Sequence, residues 1–418
     1  MSNNTKTDFF IYALIFLSIA PLFSMQLAIW LIPITTLLFF FNLSNLKKRK
    51  LKWDFGLLIP VFFFLILIVG LLYTSNFNRG VKIVERFLSF AILPLIFGFA
   101  SPLINFNRIK IIKAYIYANA IFYIIAFFYA FYRQMNFTLT KGGSINWYYF
   151  YRYDFLIFFH QHPTYVSMMV LIALSFVIFL KSELHFSKQK NTLLFILFSL
   201  GILFTGSRQG YMQYFLIITL FFVLKIKNAP YKQKYILNYL GGLILFILMS
   251  FNVPIIKERI LITLGADRYY KFYYNKHISS TDNPEKQGRL LLWQDAWQLI
   301  KDKPFLGQGT GGDNDALIAQ YKKNGHTYLF QMGYNAHNSY IQWLLSGGIV
   351  LLTVWLSMLF TIFYKGIKTR DPVLWSFFII LFFTGFTETF YRVQGIIFIA
   401  FFYSFLLILE NDNKKLSA

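Results

Sequence analysis

The sequence contains no cysteine, which excludes disulfide bonds, a thiolate nucleophile and a zinc–thiolate site. It also has few charged residues: 14% of the 418 residues are charged, whereas 57% are hydrophobic. A soluble chain of this length needs far more polar surface. The shortage of charge therefore excludes a soluble enzyme, a secreted disulfide scaffold and a fibrous protein.

The hydrophobic residues occur in runs of roughly 16 to 22, and at ~1.5 Å per residue each run can cross a ~30 Å hydrocarbon core. We predict an all-α polytopic membrane protein with about 12 transmembrane helices. The predicted spans are 9–24, 26–42, 55–73, 82–100, 111–132, 163–180, 192–205, 211–226, 235–252, 339–364, 373–389 and 393–410.

Three segments follow from this pattern. Residues 1–252 hold the first nine spans, 253–338 form a large outer loop with amphipathic helices, and 339–418 hold the last three spans and a cytoplasmic C-terminus. The weakly charged start lacks the features of a cleaved secretory signal, so the first run is expected to be a retained span.

Acidic residues are scarce: the sequence has 17 Asp and Glu and 40 Lys and Arg, which gives a net charge of +23. In a cytosolic chain this excess would suggest nucleic acid, but here the cations lie in short loops between apolar runs, so no nucleic-acid partner is expected. Alternate loops are rich in cations, and these loops and both termini are predicted to face the cytoplasm. Examples are Arg108, Lys110, Lys113, Lys181, Lys188, Lys190, Lys225, Lys227, Lys232 and Lys234. The loops between them, including 133–162, 205–210 and 253–338, are predicted to face the opposite, outer side of the membrane.

The middles of the spans lack ionisable residues, which argues against an ion-coupled transporter. Polar side chains collect at the predicted outer helix ends instead: Glu85, Arg86, His160, His162, Arg208, Arg289, His337, Glu388 and Arg392. Such a layer suits an enzyme whose substrate has a lipid tail and a charged, sugar-bearing head.

Two arginines in this layer are candidate phosphate ligands. Arg208 follows Gly206 in a turn between two short spans, and its planar guanidinium can hold phosphate oxygens; the alternative is an arginine that only reaches lipid phosphates. Arg289 lies on a predicted helix from Asn283 to Lys303 and shares an apolar stripe with Trp293. A cation on a buried face needs an anionic partner, so the alternatives are a salt bridge to Glu85 or Glu388 and a second phosphate clamp.

A glycine-rich turn after Pro304 leads into Asp313 and Asp315, which begin a predicted short helix. No strand precedes the turn, so a dinucleotide-binding fold is not expected, although backbone N–H groups could meet an anion. The two aspartates are helix caps or, alternatively, a metal-binding pair.

His337 lies where the large outer segment reaches the next span. At an ordinary pKa of ~6.5 its imidazole could accept a proton from a sugar hydroxyl, whereas a lone histidine is commonly a satisfied interface residue. His162 precedes Pro163 at a similar helix start, where a packing role is favoured.

The order and spacing of these residues resemble the O-antigen ligase and O-antigen polymerase superfamily. The matching residues are Gly206, Ser207, Arg208, Gly288, Arg289, Trp293, Pro304, Gly307, Gly309, His337, Asn338, Ser339, Tyr340, Gly347 and Gly348. The resemblance covers roughly residues 160 to 400.

This resemblance implies a membrane glycosyltransferase of GT-C type in the bacterial inner membrane. It would transfer a glycan from undecaprenyl diphosphate to a lipid A core sugar at the periplasmic face, with inversion and without metal or other cofactor. Arg208 and Arg289 would bind the diphosphate and His337 would activate the acceptor hydroxyl, with His162, Glu388 and Arg86 as secondary candidates. Membrane lipids are the other expected partners.

Three alternatives stay open. A polysaccharide polymerase and a protein O-oligosaccharyltransferase would use the same donor and differ only in the acceptor. A lipid-linked sugar flippase, from another functional class, would require charge through the membrane centre, which this sequence lacks.

Overall fold

The computed structural model describes residues 3–43, 54–143, 145–228, 232–252 and 284–409. Within these ranges the chain is helical and has no β-strand, which confirms the predicted all-α class. The predictions made for Asn283, for the loop between the second and third spans, for the first part of the large outer segment and for the C-terminal end lie outside the described residues.

The longer helices are α1 (Asn3–Phe23), α2 (Met25–Phe41), α3 (Leu58–Val69), α4 (Phe77–Phe106), α5 (Arg108–Lys141), α6 (Pro163–Phe179), α7 (Lys188–Thr205), α8 (Arg208–Asn228), α9 (Lys232–Asn252), α10 (Pro284–Asp302), α11 (Gly312–Lys323), α12 (Thr327–Met332), α13 (Ser339–Thr369), α14 (Pro372–Gly385) and α15 (Val393–Ile408). Turns of 3₁₀ helix at Phe55–Leu57 and Gly70–Leu72 extend α3 at both ends. Single helical turns occupy Trp147–Phe150, Arg152–Phe155, Ile157–Phe159 and Lys181–Leu184.

Each predicted span overlaps one of these helices. Among the described residues, seven helical segments are long and apolar enough to cross a membrane, and they correspond to α1, α2, α3 with its flanking turns, α4, α5, α8 and α13. Helices α6, α14 and α15 are apolar but shorter. The protein is therefore a polytopic membrane-type helical chain, whereas the number of crossings and the GT-C relationship stay predictions.

The chain forms two compact units, residues 1–115 with 285–418, and residues 116–284. We call them the terminal unit and the middle unit. The segment boundaries predicted at residues 252 and 338 concern membrane topology and stay a prediction.

Helix α15 is the most buried element of the terminal unit. Its residues from Gln394 to Ile408 are all buried, and it packs against α4, α1 and α2. A helix that is apolar on every side must be covered on every side. Its buried Ser404 hydroxyl donates to the carbonyl of Ala400, one turn back, so no polar group of that side chain is left unpaired.

Helix α13 breaks at Gly347 and Gly348, where the backbone is not helical. The glycine-rich loop between α10 and α11 fits into this break: Gln308 N donates to Leu345 O at 2.6 Å, and Ile349 N donates to Pro304 O at 2.9 Å. Gly348 has a φ of 62°, and a Cβ there would overlap the carbonyl of Phe305. The glycines of this region therefore serve close backbone packing.

The same loop also contacts the end of α3. Thr310 donates its hydroxyl to Leu67 O at 2.7 Å and its backbone N–H to Gly70 O at 3.2 Å. Because these amides already donate to carbonyl oxygens, the alternative that the loop offers them to an anion is not supported for Gln308 and Thr310.

In the middle unit, α6 is buried from Pro163 to Val177 and packs against α7 and α8. Gly210 on α8 allows this packing, because a Cβ there would lie 2.8 Å from the Cβ of Ser167. Ser167 donates its hydroxyl to Thr164 O at 2.7 Å. This close packing fixes the start of α8, where Arg208 lies.

Candidate active site

His337 lies in the segment between α12 and α13, and two asparagines hold its backbone. Its N–H donates to Asn335 Oδ1 at 3.0 Å, and Asn338 caps α13 by accepting from the N–H groups of Tyr340 and Ile341. His337 adopts a φ of 44°, a left-handed conformation that is costly for a residue with a side chain. These hydrogen bonds fix the backbone of the segment that carries the half-buried imidazole.

Helix α10 is tied to this segment by Trp293, whose indole N–H donates to Ala336 O at 3.0 Å. Leu292, Ala296 and Ile300 of the same helix enter an apolar core with Leu317 and Leu345. This packing places Arg289, one turn before Trp293, beside the His337 segment.

Arg289 and His337 interact electrostatically. Burial lowers the pKa of His337 below its ordinary value, and the nearby Arg289 guanidinium lowers it further. Both effects disfavour the imidazolium. At neutral pH the side chain is therefore a neutral imidazole, the form that can accept a proton.

The predicted orientation of Arg289 was wrong. Its side chain is exposed, although Trp293 is half-buried and Ala296 is fully buried. The buried core of this helix begins at Leu292. Arg289 lies before that residue on the same helical stripe, so it extends beyond the packed surface. A salt bridge from Arg289 to Glu85 or Glu388 stays a prediction.

A buried carboxyl group lies behind the His337 segment. Asp313 is fully buried at the start of α11, and its Oδ2 accepts from Gln342 Nε2 at 2.5 Å and from the Tyr391 hydroxyl at 2.6 Å. Gln342 Oε1 in turn accepts from Ala336 N at 3.0 Å. One continuous hydrogen-bonded chain thus runs from Tyr391 through Asp313 and Gln342 to the residue before His337.

Asp313 and Asp315 have different hydrogen-bond partners. The Asp315 carboxylate accepts from Arg79 Nη1 at 3.2 Å and from Asn76 Nδ2 at 2.7 Å, so it holds α11 to the start of α4. Burial raises the pKa of Asp313, and its Oδ1 has no partner. No group of three metal-ligating side chains occurs among the described residues. The metal-binding alternative for the two aspartates stays a prediction.

Glu388 and Arg86 lie in the terminal unit next to these groups. The carbonyl of Glu388 accepts from the Ser339 hydroxyl at 2.5 Å, at the start of α13. Arg86, which is exposed, approaches the Tyr391 carbonyl at 3.5 Å, the limit of a hydrogen bond. Both secondary candidates are therefore close to residues that hold the His337 segment, and their part in chemistry stays a prediction.

Arg208 is the first residue of α8 in the middle unit, and its side chain is exposed. Gly206 ends α7 with a φ of 66°, and a Cβ there would lie 2.7 Å from the ring of Tyr151. Ser207 Oγ accepts from Gly210 N at 3.3 Å. The turn before Arg208 thus needs its glycine for close approach to residues 151 and 152. As Arg208 belongs to the other unit, its predicted convergence with Arg289 and His337 stays a prediction.

Arg152 is a residue of this region that the sequence did not single out. It has a φ of 52°, its guanidinium carbon lies 5.5 Å from the ring centre of Tyr153, and a Cβ on Gly206 would overlap its side chain. Its Nε is buried without a hydrogen-bond partner. No sequence signal marks it, because its contact with Gly206 spans more than fifty residues of chain.

His162 occupies the position before α6 and acts as its N-cap. Its Nδ1 accepts from Thr164 N at 3.3 Å, and its ring lies against Tyr153 and Tyr165 at 5.4 and 5.6 Å between ring centres. This is the packing role that the sequence favoured. A further catalytic role for His162 stays a prediction.

The comparison with protein families agrees with this placement. Residues 193–356 match the family model described as O-Antigen ligase, a range that contains Arg208, Arg289 and His337. A search of curated proteins finds no match. The family match supports a transferase of the ligase or polymerase type that acts on lipid-linked glycans. The match covers less than half of the chain, and over that range it confirms the resemblance to the O-antigen ligase superfamily that the sequence shows.

Proposed function

We propose that this protein is an O-antigen ligase that transfers a glycan from undecaprenyl diphosphate to a hydroxyl group of a lipid A core sugar. The observation that carries the proposal is the pairing of Arg289 with a half-buried His337 whose pKa is lowered. An anionic leaving group needs a cation, which Arg289 supplies. The acceptor hydroxyl needs a base, which His337 supplies beside it.

His337 would remove the proton of the acceptor hydroxyl as its oxygen attacks the anomeric carbon. The bond between that carbon and the diphosphate oxygen breaks, and undecaprenyl diphosphate leaves with the bonding electrons. Attack from the side opposite the leaving group inverts the anomeric configuration. The guanidinium charge of Arg289 would stabilise the negative charge on the departing diphosphate, without a metal ion or other cofactor.

The same pairing couples the base to the donor. In the free protein the Arg289 guanidinium holds the pKa of His337 down. A bound diphosphate would neutralise that guanidinium, and the pKa of His337 would rise toward its ordinary value. The imidazole would therefore become a stronger base only when the donor is bound. In the free protein it would stay neutral and would not take up a proton from water.

Arg208 would be a second ligand of the diphosphate. This role rests on the sequence resemblance and on its exposed position at a helix start, where backbone N–H groups and the helix dipole favour an anion. We place the reaction at the periplasmic face of the bacterial inner membrane, on the basis of the cation-rich loops predicted to be cytoplasmic.

The test is transfer in vitro by the purified full-length chain. The donor is undecaprenyl-diphosphate glycan, and the acceptors, offered separately, are lipid A core, a protein and a second lipid-linked glycan. We expect product with lipid A core, with inverted configuration, and transfer at least about a thousandfold slower with His337→Ala or Arg289→Ala. Exclusive product with the lipid-linked glycan would identify a polymerase instead, and product with protein would identify a protein glycosyltransferase.

A further inference from the structure

The middle unit contains a cavity of about 900 Å³ at one end of its helices. It lies between the C-terminal end of α6, the N-terminal end of α7 and the C-terminal end of α8, and the single turn Lys181–Leu184 borders it. Its apolar walls are formed by Val177, Ile178, Phe179, Phe186, Phe195, Ile218, Phe221 and Phe222. A space of this size holds a ligand of several hundred daltons.

Three of the other lining side chains are cationic. They are Lys181, Lys188 and Lys225, and none of the described residues that line the cavity is acidic. Lys181, Lys188 and Lys225 are exposed, so their ammonium groups can turn toward the cavity mouth. The cavity therefore combines an aromatic interior with a positive rim.

Asn191 supplies a polar group inside this cavity. Its side chain is 7% exposed and lines the space. Its Nδ2 donates to Phe186 O at 3.4 Å, while its Oδ1 is buried and has no hydrogen-bond partner. An unpaired buried acceptor is costly, and it indicates a donor that occupies the cavity in the functional protein.

We propose that this cavity binds an anionic glycerophospholipid of the cytoplasmic leaflet. The phosphate would lie among Lys181, Lys188 and Lys225, a headgroup hydroxyl would donate to Asn191 Oδ1, and the acyl chains would pack on the phenylalanine walls. Basic pockets between membrane helices on the cytoplasmic side are suited to anionic lipid headgroups. Electrostatic attraction and apolar contact both favour such a lipid over a free phosphate, which would use only the rim.

This site is separate from the proposed reaction centre. The loop with Lys181 and Lys188 is predicted to be cytoplasmic, whereas the turn with Arg208 joins the other ends of α7 and α8. Arg208 and Lys225 lie at opposite ends of α8, about 25 Å apart at 1.5 Å per residue. The lipid proposed here is thus a different molecule from the glycan donor, and its binding does not depend on the proposed activity.

Native mass spectrometry of the purified full-length protein tests the proposal. The protein is titrated with phosphatidylglycerol, with phosphatidylcholine, and with inorganic phosphate alone. We expect saturable phosphatidylglycerol binding that is at least about tenfold tighter than phosphatidylcholine binding. Equal affinity for both lipids, or binding of inorganic phosphate with the affinity of the lipid, would overturn the proposal.

Two charge-matched variants locate the binding. The first is a triple variant that combines Lys181→Gln, Lys188→Gln and Lys225→Gln. It should weaken phosphatidylglycerol binding by roughly 10–100-fold. The control, Lys227→Gln with Lys232→Gln and Lys234→Gln, removes the same charge from the same predicted face but from residues that do not line the cavity. It should stay within about twofold of wild type. A similar loss in both variants would show general attraction to an anionic surface and would refute the site.

Asn191 provides an independent check inside the cavity. Asn191→Asp places a negative charge at the unpaired acceptor and should reduce phosphatidylglycerol binding by at least about tenfold through repulsion of the phosphate. Asn191→Leu removes the acceptor and should weaken binding severalfold while leaving the walls apolar. Unchanged binding in both variants would contradict a lipid head at this position. Monodisperse elution from a size-exclusion column confirms that each variant is folded.

Discussion

The indole N–H of Trp293 donates to the carbonyl oxygen of Ala336 at 3.0 Å, across 43 residues of chain. One helical turn before Trp293 lies Arg289, and one residue after Ala336 lies His337. This hydrogen bond therefore joins the segment that carries the cation of the proposed reaction to the segment that carries its base. Its removal should disturb their relative position without removing either group.

Trp293→Phe keeps an aromatic ring and removes the donor. We expect the free energy of unfolding to fall by about 1 kcal/mol, because the Ala336 carbonyl loses its partner. Transfer should fall roughly three- to tenfold in kcat, because the His337 segment is less firmly held. Thermal unfolding and transfer kinetics of the purified protein measure both quantities.

Trp297→Phe is the control for that variant. Trp297 lies one turn further along the same helix and is 52% exposed. Its replacement should leave transfer within about twofold of wild type. Equal losses in the two variants would mean that the Trp293 hydrogen bond has no special part in positioning His337.

The lowered pKa of His337 predicts the acid limb of the pH–rate profile. A base must be neutral, and a lowered pKa keeps the imidazole neutral further into the acid range. The acid limb of kcat/KM should therefore lie below the ordinary histidine value of ~6.5. Arg289→Gln removes the cation, so the pKa of His337 should rise and the limb should move to higher pH.

Arg289→Lys is the matched variant, because it keeps the charge. Its acid limb should stay near that of wild type, although its affinity for the donor should fall with the loss of the planar fork. If the acid limb is the same in wild type and in Arg289→Gln, the group that titrates is not His337 beside Arg289.

The sequence predicted the helices well because apolar runs of membrane length leave little choice of structure. It also predicted the extent of α10 and the start of α11 from capping residues and glycine or proline signals, and the start of α13 from the apolar span 339–364. These features depend on neighbours within a few residues. Local patterns are therefore sufficient for them.

The failures concern long-range packing. The stripe that contains Arg289 and Trp293 is real, but helical periodicity does not show where the packed surface ends, and Arg289 lies beyond it. Asp313 likewise fits a helix cap locally. Its burial depends on Gln342 and Tyr391, which lie 29 and 78 residues away in the sequence.

The chain from Asp313 through Gln342 to Ala336 predicts a positioning role for Gln342. Gln342→Leu leaves the Ala336 N–H without its acceptor and removes one donor from the buried Asp313 carboxyl group. Each unpaired buried group costs about 1–3 kcal/mol. We expect kcat to fall about tenfold or more, while the KM for the donor stays within about twofold.

Asp315→Asn is the control on α11. The Asp315 carboxylate forms a largely exposed ion pair with Arg79, and such pairs contribute only about 0–1 kcal/mol. Transfer by this variant should be near normal, with or without a chelator. If Asp315→Asn loses transfer, and if added Mg²⁺ or Mn²⁺ alters the extent of that loss, the result would instead support the metal-binding alternative for Asp313 and Asp315.

The break in α13 predicts a strong dependence on Gly348. Alanine there would need a left-handed backbone and would overlap the carbonyl of Phe305. Gly348→Ala should lower the free energy of unfolding by at least ~2 kcal/mol. Gly241→Ala on α9 has open space around its Cβ and should be neutral or stabilising by up to ~1 kcal/mol. Equal thermal stability of the two variants would show that the loop does not need the break.

Arg208 distinguishes a diphosphate ligand from a membrane anchor. An anchor needs a positive charge on a flexible stem, which lysine also supplies. A diphosphate ligand uses the planar fork of the guanidinium, which binds two oxygens at fixed geometry and which lysine lacks. Arg208→Lys should therefore lower kcat/KM for the donor by about tenfold or more, and Arg208→Ala by about a hundredfold or more.

The control for Arg208 is a cation at the other end of the same helix. Lys227→Arg and Lys227→Gln change an exposed charge in the last turn of α8 and should leave donor kinetics unchanged. Because the chain has no cysteine, a single introduced cysteine near position 208 can report its side of the membrane by labelling. Wild-type kinetics in Arg208→Lys together with an intact membrane orientation would assign Arg208 to anchoring, and the diphosphate would then be held by Arg289 without it.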